Sequence, residues 1–229
     1  MEPFHIHRDA HRFPLKSGNG FTLVELMVVL AIIVVITSVV FTSQNSFNKT
    51  LMLSNTAYDI ALTLRSTQTY GLSSRASGTS ANVGYGIHLA SGTHNSFIFF
   101  ADAYSLIPDS SCTTPDCKPG DYIYTPSTDT FTADKLVQTY KLNNGITVSD
   151  FCAYPTSGSG SCALDGGLTA LDIVFTRPNP NALISGLNGA SYTTYSRMCI
   201  TISSQGNTKK YISIAASGQI VANAPSCSP

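Results

Sequence analysis

A single carboxylate stands inside a long apolar run. From Phe21 to Phe41 the sequence reads FTLVELMVVLAIIVVITSVVF, and Glu25 is its only ionisable side chain. At the centre of a bilayer helix a carboxylate costs on the order of 3 kcal/mol even on lenient insertion scales, and less near the helix end. A plain anchor would gain by carrying leucine there. The acid is therefore either tolerated at the interface or partnered inside the membrane. Other reactive side chains are sparse. His5, His7 and His11 precede the run, and His88 and His94 follow it. His88, in the run IHL, reads as a lone strand histidine on a surface or across from a neighbouring strand. No nucleophile elbow, metalloprotease helix, phosphate loop or dinucleotide fingerprint is present. "VGYGIH" lacks a third glycine and sits in an alternating strand pattern. The chain reads as non-enzymatic, with no cofactor implied.

The six cysteines, Cys112, Cys117, Cys152, Cys162, Cys199 and Cys227, all lie beyond the apolar run, which fits disulfides formed in an oxidising compartment. Proximity favours Cys112–Cys117, Cys152–Cys162 and Cys199–Cys227. Zinc is the weaker alternative, since no C-x-x-C pair occurs. Asp102, Asp109, Asp116 and Asp121 fall in one loop segment. Calcium is chemically open there, but the spacing matches no EF-hand, and solvated aspartates are the plainer reading, so no metal is assigned.

These residues need elements to hold them. The apolar run is long enough to cross ~30 Å of hydrocarbon as a helix. Arg8, Arg12 and Lys16 before it place the N-terminus in the cytoplasm. No small-residue cleavage site follows the run, so a signal cut after it is disfavoured. Beyond Thr42 there is no proline until after residue 77. Phe47, Leu51, Ser54, Tyr58, Ala61, Leu64 and Gln68 recur at helical spacing, as do Ala57, Ile60, Leu64 and Gly71. One helix is expected from about Phe21 to about Ser74, roughly 80 Å long. After Gly78, short alternating runs (VGYGIHL, SFIFFAD, DYIYT, LVQTYKL, ITVSDF, LDIVFT, SRMCITIS, KKYISIA, GQIVA) read as strands. NNG at 143–145 and SQGN at 204–207 signal hairpins. The expected fold is α+β, with the amphipathic half of the helix covering an antiparallel sheet.

Gly20 to Leu26 reads GFTLVEL, which resembles the prepilin peptidase site of type IV pilins and type II secretion pseudopilins. The resemblance implies cleavage after Gly20, methylation of the new N-terminal amine on Phe21, and retention of the helix. It implies that Glu25, fifth in the mature chain, pairs with the N-terminal amine of a neighbouring subunit during assembly. It further implies prepilin peptidase, other pilin or pseudopilin subunits and an inner-membrane assembly platform as partners. Localisation would be the bacterial inner membrane, single-pass, with the C-terminal domain periplasmic or extracellular. The divisions are then a cleaved leader (1–20), an assembly helix (21–41), its amphipathic continuation (42–77) and a β-rich domain (78–229). The stretch LRSTQTYGLSSR and a late Gly-X-Ile-Val strand are similar to the H-type minor pseudopilin (GspH/FimT) branch. Many major pilins carry glycine and proline within the anchor, whereas VVITSVVFT here has neither, which points to a minor subunit.

Formal net charge is zero, so overall charge does not point to a polyanionic partner. Charge is uneven, however. Nine acids and three bases lie between Ala76 and Asp172, followed by Arg177, Arg197, Lys209 and Lys210 with no acid. A nucleic-acid partner held by this basic third is one alternative, though four bases are few for phosphate binding. A single-pass protein with an independent ectodomain is the other.

Overall fold

In the computed structural model, residues 20–73, 83–103, 120–126, 134–205 and 208–227 are described. The chain divides into two compact units, one ending at Ser46 and the other spanning Phe47–Pro229. A single helix, α1 (Leu23–Leu72), supplies the first unit and enters the second. Among the described residues eleven strands follow: β1 (Gly84–Ala90), β2 (Ser96–Asp102), β3 (Lys135–Lys141), β4 (Thr147–Tyr154), β5 (Ser161–Cys162), β6 (Ala170–Phe175), β7 (Ala182–Asn188), β8 (Ser191–Tyr195), β9 (Arg197–Ser203), β10 (Lys209–Ala215) and β11 (Ile220–Ala224). The α+β class and its antiparallel pairing match expectation.

The described strands form two sheets, where one was expected. Six strands run in the order β3-β2-β1-β6-β7-β8 and five in the order β11-β10-β9-β4-β5. The turn at 143–145 has the conformation its residues suggest, with Asn144 and Gly145 at positive φ and the Ile146 amide donating to the Asn143 carbonyl. Yet it connects β3 of one sheet to β4 of the other and forms no hairpin. SQGN does lie between two paired strands, β9 and β10. DYIYT is not a strand; its backbone bends and its amides go to carboxylates. β5, β7 and β8 were not foreseen. β7 and β8 pair across Gly189 and Ala190, with Gly189 at φ 61°, and the Asn188-Gly189 dipeptide is a turn signal the sequence does carry.

The two sheets and the second half of α1 share one apolar core. Leu53, Ala57, Ile60, Ala61 and Leu64 meet Ile87, Leu171, Ile173 and Phe175 of the six-stranded sheet and Phe151, Met198, Ile200 and Ile212 of the other. Burying each large aliphatic side chain contributes about 2 kcal/mol. The buried stripe corrects part of the expected helix face. Ala57, Ile60, Ala61 and Leu64 are inside, but Phe47, Leu51 and Tyr58 are 63%, 45% and 54% exposed. Ser54 and Gln68 are tied to the β-rich part through hydrogen bonds: Asn223 of β11 donates to the Ser54 hydroxyl, and the Gln68 amide donates to the carbonyls of Pro180 and Gly218 in the loops before β7 and β11. Thr67, fully buried, satisfies its hydroxyl on the Thr63 carbonyl at 2.9 Å. Near its end α1 approaches the backbone of β6 at Gly71, where a Cβ would run into the Phe175 carbonyl. The helix ends at Leu72, earlier than expected, and residues 74–82 lie outside the described residues.

β6 is buried along its whole length. Leu171, Ile173 and Phe175 face the core. Asp172 and Val174 face the opposite side with Gly86 and His88 of β1 and Phe100 and Asp102 of β2, their register neighbours. The segment 120–126 lies on that outer face, with the Tyr124 ring 5.0 Å from Phe100 and 4.8 Å from His88.

Candidate functional site

The start of α1 is built by its own sequence. Thr22 is the N-cap: the Glu25 amide donates to its hydroxyl at 3.2 Å, and the Leu26 amide to its carbonyl at 3.2 Å. The Glu25 carboxylate reaches back to the Thr22 amide and hydroxyl, each at 3.5 Å. This is the reciprocal Thr-x-x-Glu capping arrangement, in which two otherwise unpaired donors are satisfied. Gly20, by contrast, has open space where a Cβ would stand, so the fold gives no reason for glycine there. Residues 1–19, and with them His5, His7 and His11, lie outside the described residues.

The apolar stretch Leu23–Phe41 has mean hydropathy 2.9 and is nowhere buried within the protein. Among the described residues it is the one helical segment long and apolar enough to cross a membrane. Its two internal hydroxyls suit such a setting. Thr37 donates to the Ile33 carbonyl at 2.8 Å and Ser38 to the Val34 carbonyl at 2.7 Å, so neither needs water.

In the second unit Cys152 is bonded to Cys162 and Cys199 to Cys227, while Cys112 and Cys117 lie outside the described residues. With its sulfurs joined, the group Asp150, Cys152 and Cys162 offers no thiolate to a metal. The basic third is partly committed to packing: the Arg197 guanidinium lies 4.7 Å from the Tyr154 ring centre, and its Nη2 is buried.

His88 is not a lone histidine. Its Nδ1 meets Asp172 Oδ1 at 2.8 Å, directly across the β1–β6 register, and Asp172 is wholly buried. His94 has its Nδ1 3.2 Å from the Val148 carbonyl. Of the four loop aspartates, Asp109 and Asp116 lie outside the described residues. Asp102 and Asp121 come together with Asp134, which the sequence reading did not single out, and one oxygen of each lies within 4.8 Å of the others. Asp102 accepts from the Asp121 and Tyr122 amides at 3.2 and 3.0 Å, and Asp134 from the Ala103 and Thr125 amides at 2.9 and 2.7 Å. Burial, reinforced by the neighbouring carboxylates, pushes Asp102 up to about 8; burial chiefly pushes Asp121 up to about 6. These carboxylates are the described residues best able to hold a cation.

Residues 15–41 match the family described as the prokaryotic N-terminal methylation motif. No curated protein and no solved structure matches the chain. The matched segment contains Gly20, Phe21, Thr22 and Glu25 together with the whole apolar stretch. It is the signal of type IV pilin-like precursors that are processed at the N-terminus.

Proposed function

We propose that the protein is a minor subunit of a type IV pilus or of a type II secretion pseudopilus, nearest in style to the H-type (GspH/FimT) pseudopilins. In this reading prepilin peptidase cuts after Gly20, the amine of Phe21 is methylated, and the exposed apolar helix holds the subunit in the inner membrane until assembly. The β-rich unit stands on the far side, where its disulfides form. The role is structural, without catalysis. The observation that carries the reading is the methylation motif over residues 15–41, with an acid in the first turn of the helix it contains.

The mechanism follows from the charges. A carboxylate and an amine are each costly alone in hydrocarbon and attract strongly when brought together there. Glu25 held at the helix N-terminus by Thr22 therefore marks one axial position at which a neighbour's N-terminal amine is best accommodated. Apolar helices slide past one another with little preference, so this pair sets register. Leu23–Phe41 contains neither glycine nor proline, which supports an unbroken helix and a minor role.

Glu25→Ala is expected to leave membrane insertion intact and to deplete the protein from sheared filaments in a host carrying the assembly machine. Quantitative blotting of the membrane and sheared fractions measures both. Incorporation equal to that of the native chain would contradict the pairing.

A further inference from the structure

We infer that the outer face of the five-stranded sheet carries a thiol–disulfide exchange site, at which Cys152 and Cys199 join while a low-molecular-weight thiol is taken up on Cys227. The inference is independent of the filament reading, since every residue in it belongs to the second unit.

The register of the sheet supplies the first observation. Cys152 on β4 stands directly across from Cys162 on β5 and, on its other side, directly across from Cys199 on β9. Directly opposed residues of antiparallel strands share a face, with Cα atoms about 4.5–5.5 Å apart. Both neighbours of Cys152 therefore stand within the ~4.4–6.8 Å that a disulfide spans, although Cys162 is the one bonded to it. Beyond Cys199 the row continues with Ser213 of β10, whose side chain is small. Phe151, Ala153, Met198 and Ile200, which alternate with this row, belong to the core on the opposite face.

Burial supplies the second observation. Each bond has an inner and an outer sulfur: Cys152 and Cys199 are 4% and 1% exposed, whereas Cys162 and Cys227 are half-buried. A small solute reaches the outer cysteines, and the two inner ones are neighbours in the sheet. Asp150 distinguishes the two outer sulfurs. One of its oxygens lies within 4.8 Å of the sulfurs of Cys152 and Cys162, and the Leu164 amide holds the carboxylate with a 2.9 Å bond. Its negative charge repels an incoming thiolate, so entry is at Cys227.

The exchange balances without net oxidation. The external thiolate attacks Cys227 Sγ, forms a mixed disulfide there and releases Cys199 as a thiolate. Cys199 Sγ then attacks Cys152 Sγ; the Cys152–Cys199 bond forms and the Cys152–Cys162 bond breaks. Cys162 leaves as a thiolate, takes a proton from water and, as a thiol, donates to Asp150. Two disulfides and one thiol are present before and after. β4 and β9 end covalently joined, while β5 and the C-terminal segment lose their covalent ties to the sheet.

The test incubates the full-length protein in detergent with reduced glutathione, below its thermal transition. After an acid quench and alkylation with excess maleimide in denaturant, linked peptides are mapped by mass spectrometry without reduction. Expected is a Cys152–Cys199 peptide that rises with glutathione, with Cys227 glutathionylated, Cys162 alkylated and no Cys162–Cys199 link. Cys227→Ser, which leaves Cys199 without its partner, is expected to form the Cys152–Cys199 bond with no glutathione added. Opening of Cys199–Cys227 with Cys152–Cys162 left intact, in the native chain or in Cys227→Ser, would overturn the inference. So would Cys162–Cys199 links equal in amount to Cys152–Cys199, because unfolding and random pairing would then account for the exchange.

Discussion

Glu25 and Gly20 sit five residues apart and are constrained by different things. The Glu25 carboxylate caps its own helix through Thr22, an arrangement that contributes about 1 kcal/mol at a helix start. That modest local gain does not offset burying an acid in hydrocarbon, which is why the filament reading proposed above gives Glu25 a cationic partner. Gly20 has nothing around it. Gly20→Val should therefore leave the fold unchanged while sharply reducing the processed fraction, seen as a shift in mobility on a gel; normal processing would mean that a small residue is not read at this position. Glu25 was legible in the sequence because an acid among apolar residues needs no fold to be noticed. The His88–Asp172 pair was not, because only the β1–β6 register joins residues 84 apart in sequence. Asp134 escaped for the same reason: it lies 31 residues from the Ala103 amide that it accepts from.

Among the elements, α1 was the most legible, since a 3.6-residue period over many turns leaves few alternatives. The exact face was less so. Phe47, Leu51 and Tyr58 satisfy the same spacing as the buried stripe, and hydrophobicity alone cannot say which stripe meets the sheets. Gly71 tests the packing of this helix directly. Alanine is the better helix former by about 1 kcal/mol, but its methyl would meet the Phe175 backbone, which cannot rotate away. Overpacking of this kind costs roughly 1–3 kcal/mol, so Gly71→Ala should lower stability to denaturant despite its better propensity; a stabilised variant would show that helix and strand can separate there at no cost. β7 and β8 were missed because Gly186 interrupts one and the other is polar and exposed, so neither shows a clean two-residue period. DYIYT has strand composition, but Asp102 and Asp134 draw its amides away from any ladder.

At the scale of the molecule, the division into two sheets was not legible. NNG encodes a local turn, and whether the chain pairs on itself or crosses to a second sheet depends on partners far away in sequence. The cysteines help hold that second sheet together: one bond joins β4 to β5, and the other ties β9 to residues beyond β11. The bonds span 10 and 28 residues, for which loop closure alone gives about 3 and 4 kcal/mol. Reduction should therefore lower the melting temperature clearly, and an unchanged value in dithiothreitol would mean that these bonds constrain little. The filament reading rests on the N-terminus of the mature chain, so the most direct measurement is intact-mass and N-terminal peptide analysis of the membrane-extracted protein. The expected result is a chain beginning with methylated Phe21. A chain still beginning at Met1, or one cut beyond Phe41, would contradict prepilin processing and leave Glu25 without its partner.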